Sequence, residues 1–146
     1  MARRKRKAAI KSEPYCVKAK PFSGTRYADV APQARALLRL IARRTKRRPY
    51  IRSAYFRNDK IFFTYFWSHI SQKAWRDRAR RLRYLPCAVE LIQKSRNTPT
   101  TKDNPNNRNE ALHRLEGITS GGQRFTVQIK ENKRTGRKEL MSVFPR

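Results

Sequence analysis

The chain has 146 residues, and its 37 Lys and Arg against 10 Asp and Glu give a formal net charge of +27, which predicts a polyanionic partner. A hydrophobic content of 38%, with 7 Phe, 6 Tyr and 2 Trp, argues against full disorder, and the longest uncharged apolar run, residues 61–67, is much shorter than the roughly 20 residues that cross a bilayer. Only Cys16 and Cys87 are present, which excludes a disulfide scaffold and predicts a cytoplasmic protein with reduced thiols and no membrane partner.

The N-terminal part of the chain is the most basic part. Residues 1–57 contain 18 Lys and Arg against two acids, and Arg3–Lys7 is an uninterrupted block of five cations. Such blocks commonly act as arms that bind nucleic acid. Residues 13–32 contain three prolines and one glycine with little periodicity, which predicts an irregular arm or linker.

A basic helix is predicted over residues 32–46, with Pro32 in its first turn. The apolar residues follow the helical spacing i, i+3, i+4, i+7: Ala34, Leu37, Leu38 and Ile41. A second face carries a row of arginines at i+4 spacing, which we predict to bind nucleic-acid backbone: Arg35, Arg39 and Arg43.

Residues 50–66 are rich in aromatic and β-branched residues and predict a strand, a turn and a strand. Ser68 is a candidate N-cap for a helix over residues 69–84. Arginines of that helix are further candidates for binding phosphate backbone: Arg76, Arg80 and Arg83. Pro86 predicts a short second helix, residues 87–95.

Residues 96–109 contain no apolar side chain and predict a polar loop. Three strands follow, at residues 111–118, 124–131 and 138–144, separated by turn-forming residues. The chain therefore predicts an α+β fold in which N-terminal helices are followed by a C-terminal antiparallel meander. The predicted divisions are a basic arm, a basic helix with a connecting strand, and the α+β domain: residues 1–30, 31–57 and 58–146.

Alternation along the strands predicts one core face and one open face of the sheet. In the middle strand the core residues are Phe125, Val127 and Ile129, and the open residues are Thr126, Gln128 and Lys130. In the last strand, regular alternation pairs Met141 with Val143 on one face and puts Leu140, Ser142 and Phe144 on the other. The first strand is ambiguous, because either His113 or Arg114 can share the open face.

Side chains of these types can cleave RNA without a metal. The 2′-hydroxyl attacks the neighbouring phosphorus while a base takes its proton, an acid protonates the leaving oxygen, and cations stabilise the phosphoryl oxygens. Histidine suits the proton transfers and Arg or Lys suits the charge stabilisation. Two His, two Cys and scattered acids give no metal-ligand spacing, so we predict no cofactor.

The order of these motifs suggests a family. An aromatic strand leads into Ser68-His69-Ile70, basic and short helices and a polar loop follow, and then come His113-Arg114-Leu115-Glu116-Gly117 and an ending Ser142-Val143-Phe144-Pro145. Residues 61–146 resemble the phage and bacterial branch of the barnase–EndoU–colicin–RelE-like ribonuclease superfamily.

The resemblance implies a barnase/RelE-like fold and a metal-independent endoribonuclease, with tRNA, rRNA or mRNA as substrate. It also implies a toxin or phage-related effector, with an acidic antitoxin as protein partner. The family's active residues match positions on the sheet and one helical histidine: His113 or Arg114, Thr119, Lys130, Ser142 and His69. The alternative is a non-catalytic nucleic-acid-binding protein, ribosome-associated or DNA-binding in a mobile element, which the basic arm and the extreme charge favour.

Overall fold

A computed structural model describes residues 13–146, apart from the side chain of Trp75. Its helices are α1 (Tyr27–Arg43), α2 (Thr64–Ile70), α3 (Trp75–Leu82) and α4 (Leu85–Lys94). Its strands are β1 (Tyr15–Cys16), β2 (Tyr50–Ser53), β3 (Asp59–Phe62), β4 (Thr100–Asn104), β5 (Asn107–Ile118), β6 (Arg124–Asn132) and β7 (Lys138–Pro145). The basic block Arg3–Lys7 lies outside the described residues.

The strands form one mixed sheet in the order β1-β5-β6-β7-β3-β2, with β4 also paired to β5. The α+β class and the antiparallel meander β5-β6-β7 are confirmed. The purely antiparallel sheet is wrong, because β1 pairs parallel to β5 and β3 pairs parallel to β7. The N-terminal placement of the helices is also wrong, since three strands precede α2.

The segment before α1 is tied to the sheet. The two residues of β1 pair with Gly117 and Ile118, and the backbone N–H groups of Lys18 and Ala19 each donate to the Glu90 carboxylate at 2.8 Å. Residues 13–62 therefore contribute strands to the same sheet as the C-terminal half of the chain.

Helix α1 begins at Tyr27, one and a half turns before the predicted start at Pro32. The Arg26 backbone N–H donates to the Asp29 carboxylate at 3.4 Å, which satisfies a donor at the helix start. Burial of Val30 and Ala31 against the core adds apolar contact to this first part of the helix. Pro32 lies beyond the first turn of α1, where a proline removes one backbone hydrogen bond of the helix.

The single helix predicted over residues 69–84 is wrong, because the chain forms α2 and α3 with a break between them. The break lets Phe66 of α2 and Leu82 of α3 both reach the core, where each is fully buried. Arg78 bridges the break by donating from Nε to the Lys73 carbonyl at 2.7 Å and from Nη2 to the Ser71 carbonyl. The short second helix is confirmed as α4, with proline in its first turn.

The polar loop predicted at residues 96–109 is also wrong. Residues of this segment form β4 and the start of β5, an antiparallel hairpin on the edge of the sheet. Polar residues suit an exposed edge strand, and most of β4 is exposed.

A β-bulge in β7 changes the predicted faces of that strand. Gln128 pairs with Ser142 and Ile129 pairs with Leu140, so Met141 is an extra residue. Leu140 and Val143 are therefore both on the core face and fully buried, whereas regular alternation had put Leu140 beside Ser142. The core face of β6 is confirmed, since Phe125, Val127 and Ile129 are fully buried.

Gly117 is required where β5 passes the core. It pairs with Phe125 across the sheet, and a Cβ at this position would lie 2.4 Å from Phe125 Cζ. We expect Gly117→Ala to lower the free energy of unfolding by about 1–3 kcal/mol, because a packed ring has to move. Urea denaturation of the full chain measures this change.

The matched control is Gly121→Ala in the β5–β6 turn, where the nearest atom to the added Cβ is 3.8 Å away. Its free energy of unfolding should change by less than about 1 kcal/mol. Equal stability of the two variants would contradict the close packing of Gly117.

Candidate active site

Cross-strand pairing decides which side chains share the open face. Arg114 pairs with Gln128, and Gln128 pairs with Ser142, so the three lie in one row across the meander. Lys130 lies two residues from Gln128 on β6 and therefore faces the same side. His113 pairs with Ile129, a core residue, and therefore faces the opposite side. From the sequence, either His113 or Arg114 could share the open face. The strand register places Arg114 there.

His113 is held in a separate, buried setting. Its Nδ1 lies 2.8 Å from Thr101 Oγ1, its Nε2 lies 2.7 Å from Glu131 Oε1, and its ring packs against Phe56 at 4.9 Å between centroids. Lys138 extends this cluster through a 3.7 Å ion pair to Glu131. Because both ring nitrogens are engaged and the residue is 7% exposed, the structure does not bring His113 to the open face.

The floor of the open face holds three buried polar side chains, Thr126, Gln128 and Ser142, and each of them is hydrogen-bonded. Arg114 Nε donates to Gln128 Oε1 at 2.7 Å, and Gln128 Nε2 donates to Met141 Sδ at 3.1 Å. Thr126 Oγ1 donates to Glu116 Oε1 at 2.9 Å. These hydrogen bonds offset the desolvation cost of burying polar groups and fix the positions of the side chains above the floor.

Arg81 reaches the floor from α3. Its Nη1 donates to Ser142 Oγ at 2.6 Å, while its Nε donates to Asp77 Oδ2 at 3.0 Å. Burial alone would raise the pKa of Asp77, but hydrogen bonds from Arg80 and Arg81 hold the pKa below its ordinary value. The carboxylate therefore stays ionised and fixes Arg81 over Ser142.

Phe144 brings two guanidinium groups together. The guanidinium carbon of Arg81 lies 4.8 Å from the Phe144 ring centroid, and that of Arg114 lies 5.5 Å from it. Arginine stacks well on aromatic faces. Two positive charges from different elements are thus held beside the Phe144 ring, and Arg81 also contacts Ser142. A cavity of about 200 Å³ opens next to them, lined by Arg114, Glu116, Thr126, Phe144 and Arg146.

Tyr65 of α2 connects Lys130 to His69. Lys130 Nζ lies 3.7 Å from the Tyr65 ring centroid, and the His69 ring stacks on Tyr65 with centroids 5.3 Å apart and planes 17° apart. Lys130 Nζ is also 3.5 Å from Glu110 Oε2. The backbone N–H of Tyr65 donates to Glu139 Oε1 at 3.1 Å, which ties the start of α2 to β7.

His69 is half-buried among cations. Burial lowers its pKa below the ordinary value of 6.5, and the charges of Lys73, Arg81 and Lys130 lower it further. The imidazole is therefore neutral at pH 7, the form that can accept a proton. A lowered histidine pKa caused by burial and nearby charges is common at functional sites.

The remaining residues that the sequence singled out lie elsewhere. Thr119 is a turn residue whose Oγ1 accepts from the Gln123 N–H at 3.1 Å. Arg83 Nε donates to the Phe22 carbonyl at 3.2 Å and supports the N-terminal segment. Arg76 and Arg80 are exposed on α3, while Arg35, Arg39 and Arg43 are exposed on α1.

Two residues of the cluster were not selected from the sequence. Tyr65 fell within a predicted strand, so its proximity to His69 one helical turn later was hidden. Arg81 was one of several arginines in the same helix, and the signal that distinguishes it is Asp77 four residues earlier.

The described residues contain no group of three or more His, Cys, Asp or Glu placed to hold a metal ion. Within residues 13–146, none of the helices has the length and apolarity required to cross a membrane. Comparison of the chain with models of protein families, with curated proteins and with solved structures finds no match.

Proposed function

We propose that this protein is a metal-independent endoribonuclease whose active site is the open face of the β5-β6-β7 meander. The observation that carries the proposal is the stack in which the His69 ring lies 5.3 Å from the Tyr65 ring and Lys130 Nζ lies 3.7 Å from that same ring. The lowered pKa of His69, caused by burial and by nearby cations, is consistent with this setting. A proton acceptor among fixed cations is what attack of a 2′-hydroxyl on a phosphodiester requires.

In this proposal His69 takes the proton of the 2′-hydroxyl as the 2′-oxygen attacks phosphorus. The bond from phosphorus to the 5′-oxygen breaks, giving a 2′,3′-cyclic phosphate on one product and a 5′-hydroxyl on the other. Arg81 and Arg114 stabilise the negative charge on the non-bridging oxygens, because each is already fixed by a hydrogen bond and needs little reorganisation.

Lys130 is the group we assign to the leaving 5′-oxygen. Arginine remains protonated in proteins, so of the three site cations only the lysine can release a proton. The Lys130 ammonium lies over Tyr65 and beside Glu110, which holds it above the floor of the face.

The basic residues outside the cluster then bind flanking phosphates. Exposed arginines of α1 and α3 suit this role: Arg35, Arg39, Arg43, Arg76 and Arg80. Membership of the barnase–EndoU–colicin–RelE-like superfamily, a cytoplasmic location, tRNA, rRNA or mRNA as substrate, and an acidic antitoxin belong to the same proposal.

The experiment is incubation of the purified full chain with tRNA and with total RNA in excess EDTA, followed by mapping of the ends. We expect fragments with 2′,3′-cyclic phosphate and 5′-hydroxyl ends. Intact RNA at every protein concentration would contradict catalysis, and cleavage that disappears on chelation would contradict the metal-independent mechanism.

The lowered pKa of His69 predicts the pH dependence of cleavage. The base works only when neutral, so kcat/KM should rise with pH along a limb whose midpoint lies below 6.5, the ordinary pKa. Lys73→Gln removes one of the charges that lower this pKa, and the midpoint should move upward, toward 6.5. The profile of kcat/KM against pH for a defined RNA measures both values.

The control for this profile is Lys94→Gln, an exposed lysine at the end of α4, which should leave the midpoint where it is. A midpoint above pH 6.5, or a midpoint that does not move in Lys73→Gln, would contradict the assignment of His69 as the base.

A second candidate is a protein that binds nucleic acid without cleaving it. Ser142 Oγ already accepts a hydrogen bond from Arg81. The Gln128 amide accepts from Arg114 and donates to Met141, so both side chains have partners before any substrate arrives. Under this candidate the chain binds RNA tightly in a salt-dependent manner and the incubation in EDTA leaves all RNA intact.

A further inference from the structure

Aromatic side chains continue along the open face beyond the candidate active site. Lys130 pairs with Glu139, Glu139 pairs with Phe62, and Phe62 pairs with Tyr50. Directly opposed residues point to the same side of a sheet, so Tyr50 and Phe62 of the β2–β3 hairpin share the face of Lys130. From β5 to β2 the face spans four inter-strand steps of about 4.8 Å each, on the order of 19 Å.

The hairpin rings are lined by cations, as Tyr65 and Phe144 are. Around Tyr50, Lys60 Nζ lies 4.8 Å and the Arg52 guanidinium carbon 5.4 Å from the ring centroid. The Arg137 guanidinium carbon lies 4.0 Å from the Phe62 centroid. We call the four half-buried rings with these neighbours the aromatic track: Tyr50, Phe62, Tyr65 and Phe144.

Cations of the hairpin half have spare capacity for a ligand. Lys60 and Arg52 are exposed, and Arg52 uses one nitrogen to donate to the Asn58 carbonyl at 2.9 Å. Arg137 Nη2 is buried without a hydrogen-bond partner and does not face solvent, so Lys60 and Arg52 are the cations that an incoming phosphate can contact. The acid in this stretch, Glu139, is already engaged by the Tyr65 N–H and by Arg137.

We infer that the aromatic track binds a single-stranded segment of RNA, with unpaired bases on the rings of Tyr50, Phe62 and Phe144 and phosphates on the neighbouring cations. The Tyr65 ring, already stacked on His69, joins the track to the candidate active site. This inference rests on the proposed function in that it takes RNA as the ligand. It extends the substrate from the active site across β3 to β2 and makes unpaired RNA the preferred substrate class.

The chemistry of the track favours a single strand over a duplex. Flat rings bind the faces of bases, and in a duplex those faces are covered by neighbouring base pairs, whereas every unpaired base offers a face. Cations alone would serve either form. The regular occurrence of a ring beside each cation is therefore the feature that selects the unpaired strand.

The test is fluorescence anisotropy with a labelled 2′-O-methyl RNA 12-mer, which has no free 2′-hydroxyl and cannot be cleaved. The full chain is titrated with the single strand and with the same strand annealed to its complement. Stacking contributes about 1–3 kcal/mol per base, so we expect Tyr50→Leu to weaken single-strand binding by roughly 5- to 150-fold. Tyr50→Phe, which keeps the ring, should bind as the unmodified chain does.

A second pair of variants tests the phosphate contacts. Lys60→Gln should make the slope of log K against log[salt] shallower by about 0.7, the value for one phosphate of a single strand. Lys94→Gln removes the same charge from α4, which packs against β2 and β5, and should leave the slope unchanged. Thermal unfolding confirms that each variant is folded before binding is measured.

The track is overturned if the folded Tyr50→Leu variant binds the single strand as tightly as the Tyr50→Phe variant does. Equal affinity for duplex and single strand, with equal losses in Lys60→Gln and Lys94→Gln, also overturns it, because binding then depends on total charge. These outcomes are separate from the proposed function. Ring-dependent binding with no cleavage of unmodified RNA contradicts the nuclease alone, and cleavage with ring-independent binding contradicts the track alone.

Discussion

Replacing His69 with glutamine is expected to lower the rate of RNA cleavage by about 10²- to 10⁴-fold, the usual contribution of a general base. Glutamine keeps the approximate size and a hydrogen-bonding end group but cannot take a proton. Affinity for uncleavable RNA should change little, because His69 is neutral and contributes no charge to phosphate binding. Single-turnover cleavage of a defined RNA, alongside anisotropy, separates the two quantities.

The chain supplies its own control, since it contains two histidines and His113 faces away from the open face of the sheet. His113→Gln should keep the cleavage rate of the folded protein. It should cost about 1–3 kcal/mol of unfolding free energy, because Glu131 and Thr101 lose a buried partner. A His113 variant that is stable but inactive, beside an active His69 variant, would contradict the site proposed here.

Replacing Lys130 with methionine is expected to reduce cleavage by about 10²- to 10³-fold, because the substitution removes the group that donates a proton to the leaving 5′-oxygen. The aliphatic part of the side chain can still pack against Tyr65, so the fold should be kept. The control is Lys133→Met in the β6–β7 turn, a lysine paired with Asp103 at 2.6 Å and away from the open face. Its cleavage rate should equal that of the unmodified chain.

Lys130→Arg separates charge from proton donation. Arginine keeps the positive charge but cannot release a proton, so binding should be retained while the cleavage rate stays low. Full recovery of the rate in Lys130→Arg would contradict the assignment of Lys130 to the leaving oxygen. It would assign the residue to charge stabilisation instead.

The central strands could be predicted from sequence because their side chains alternate with period 2. The alternation predicts a core face of Phe125, Val127 and Ile129, and all three are fully buried. The faces of β5 and β7 could not be derived in the same way. Apolar residues on β5 share parity with both His113 and Arg114, and only pairing with β6 decides between them. On β7 the bulge breaks the alternation, and a bulge leaves no local composition signal in Leu140-Met141-Ser142.

The active-site cluster was predicted in part for a related reason. Lys130, Ser142 and Arg114 lie on strands and their faces follow from register, whereas Tyr65 and Arg81 lie on helices whose break at residues 71–74 was not predicted. The arginine-rich pattern of residues 76–83 predicts that the helix continues without a break. The break accompanies the burial of Phe66 and Leu82 in the core, which the local pattern does not show. β1 was missed because two residues are too few to give a periodic signal.

The bulge at Met141 makes β7 unusual in how it would tolerate changes of length. Deleting Met141 would restore a regular ladder in which Leu140 still pairs with Ile129 and Ser142 still pairs with Gln128, so neither residue would change faces. Inserting or deleting a residue elsewhere in the paired part of β7 would turn every following side chain over. An alignment of β7 with a strand that lacks the bulge therefore needs a one-residue gap at position 141, or it will match Ser142 to a residue of the core.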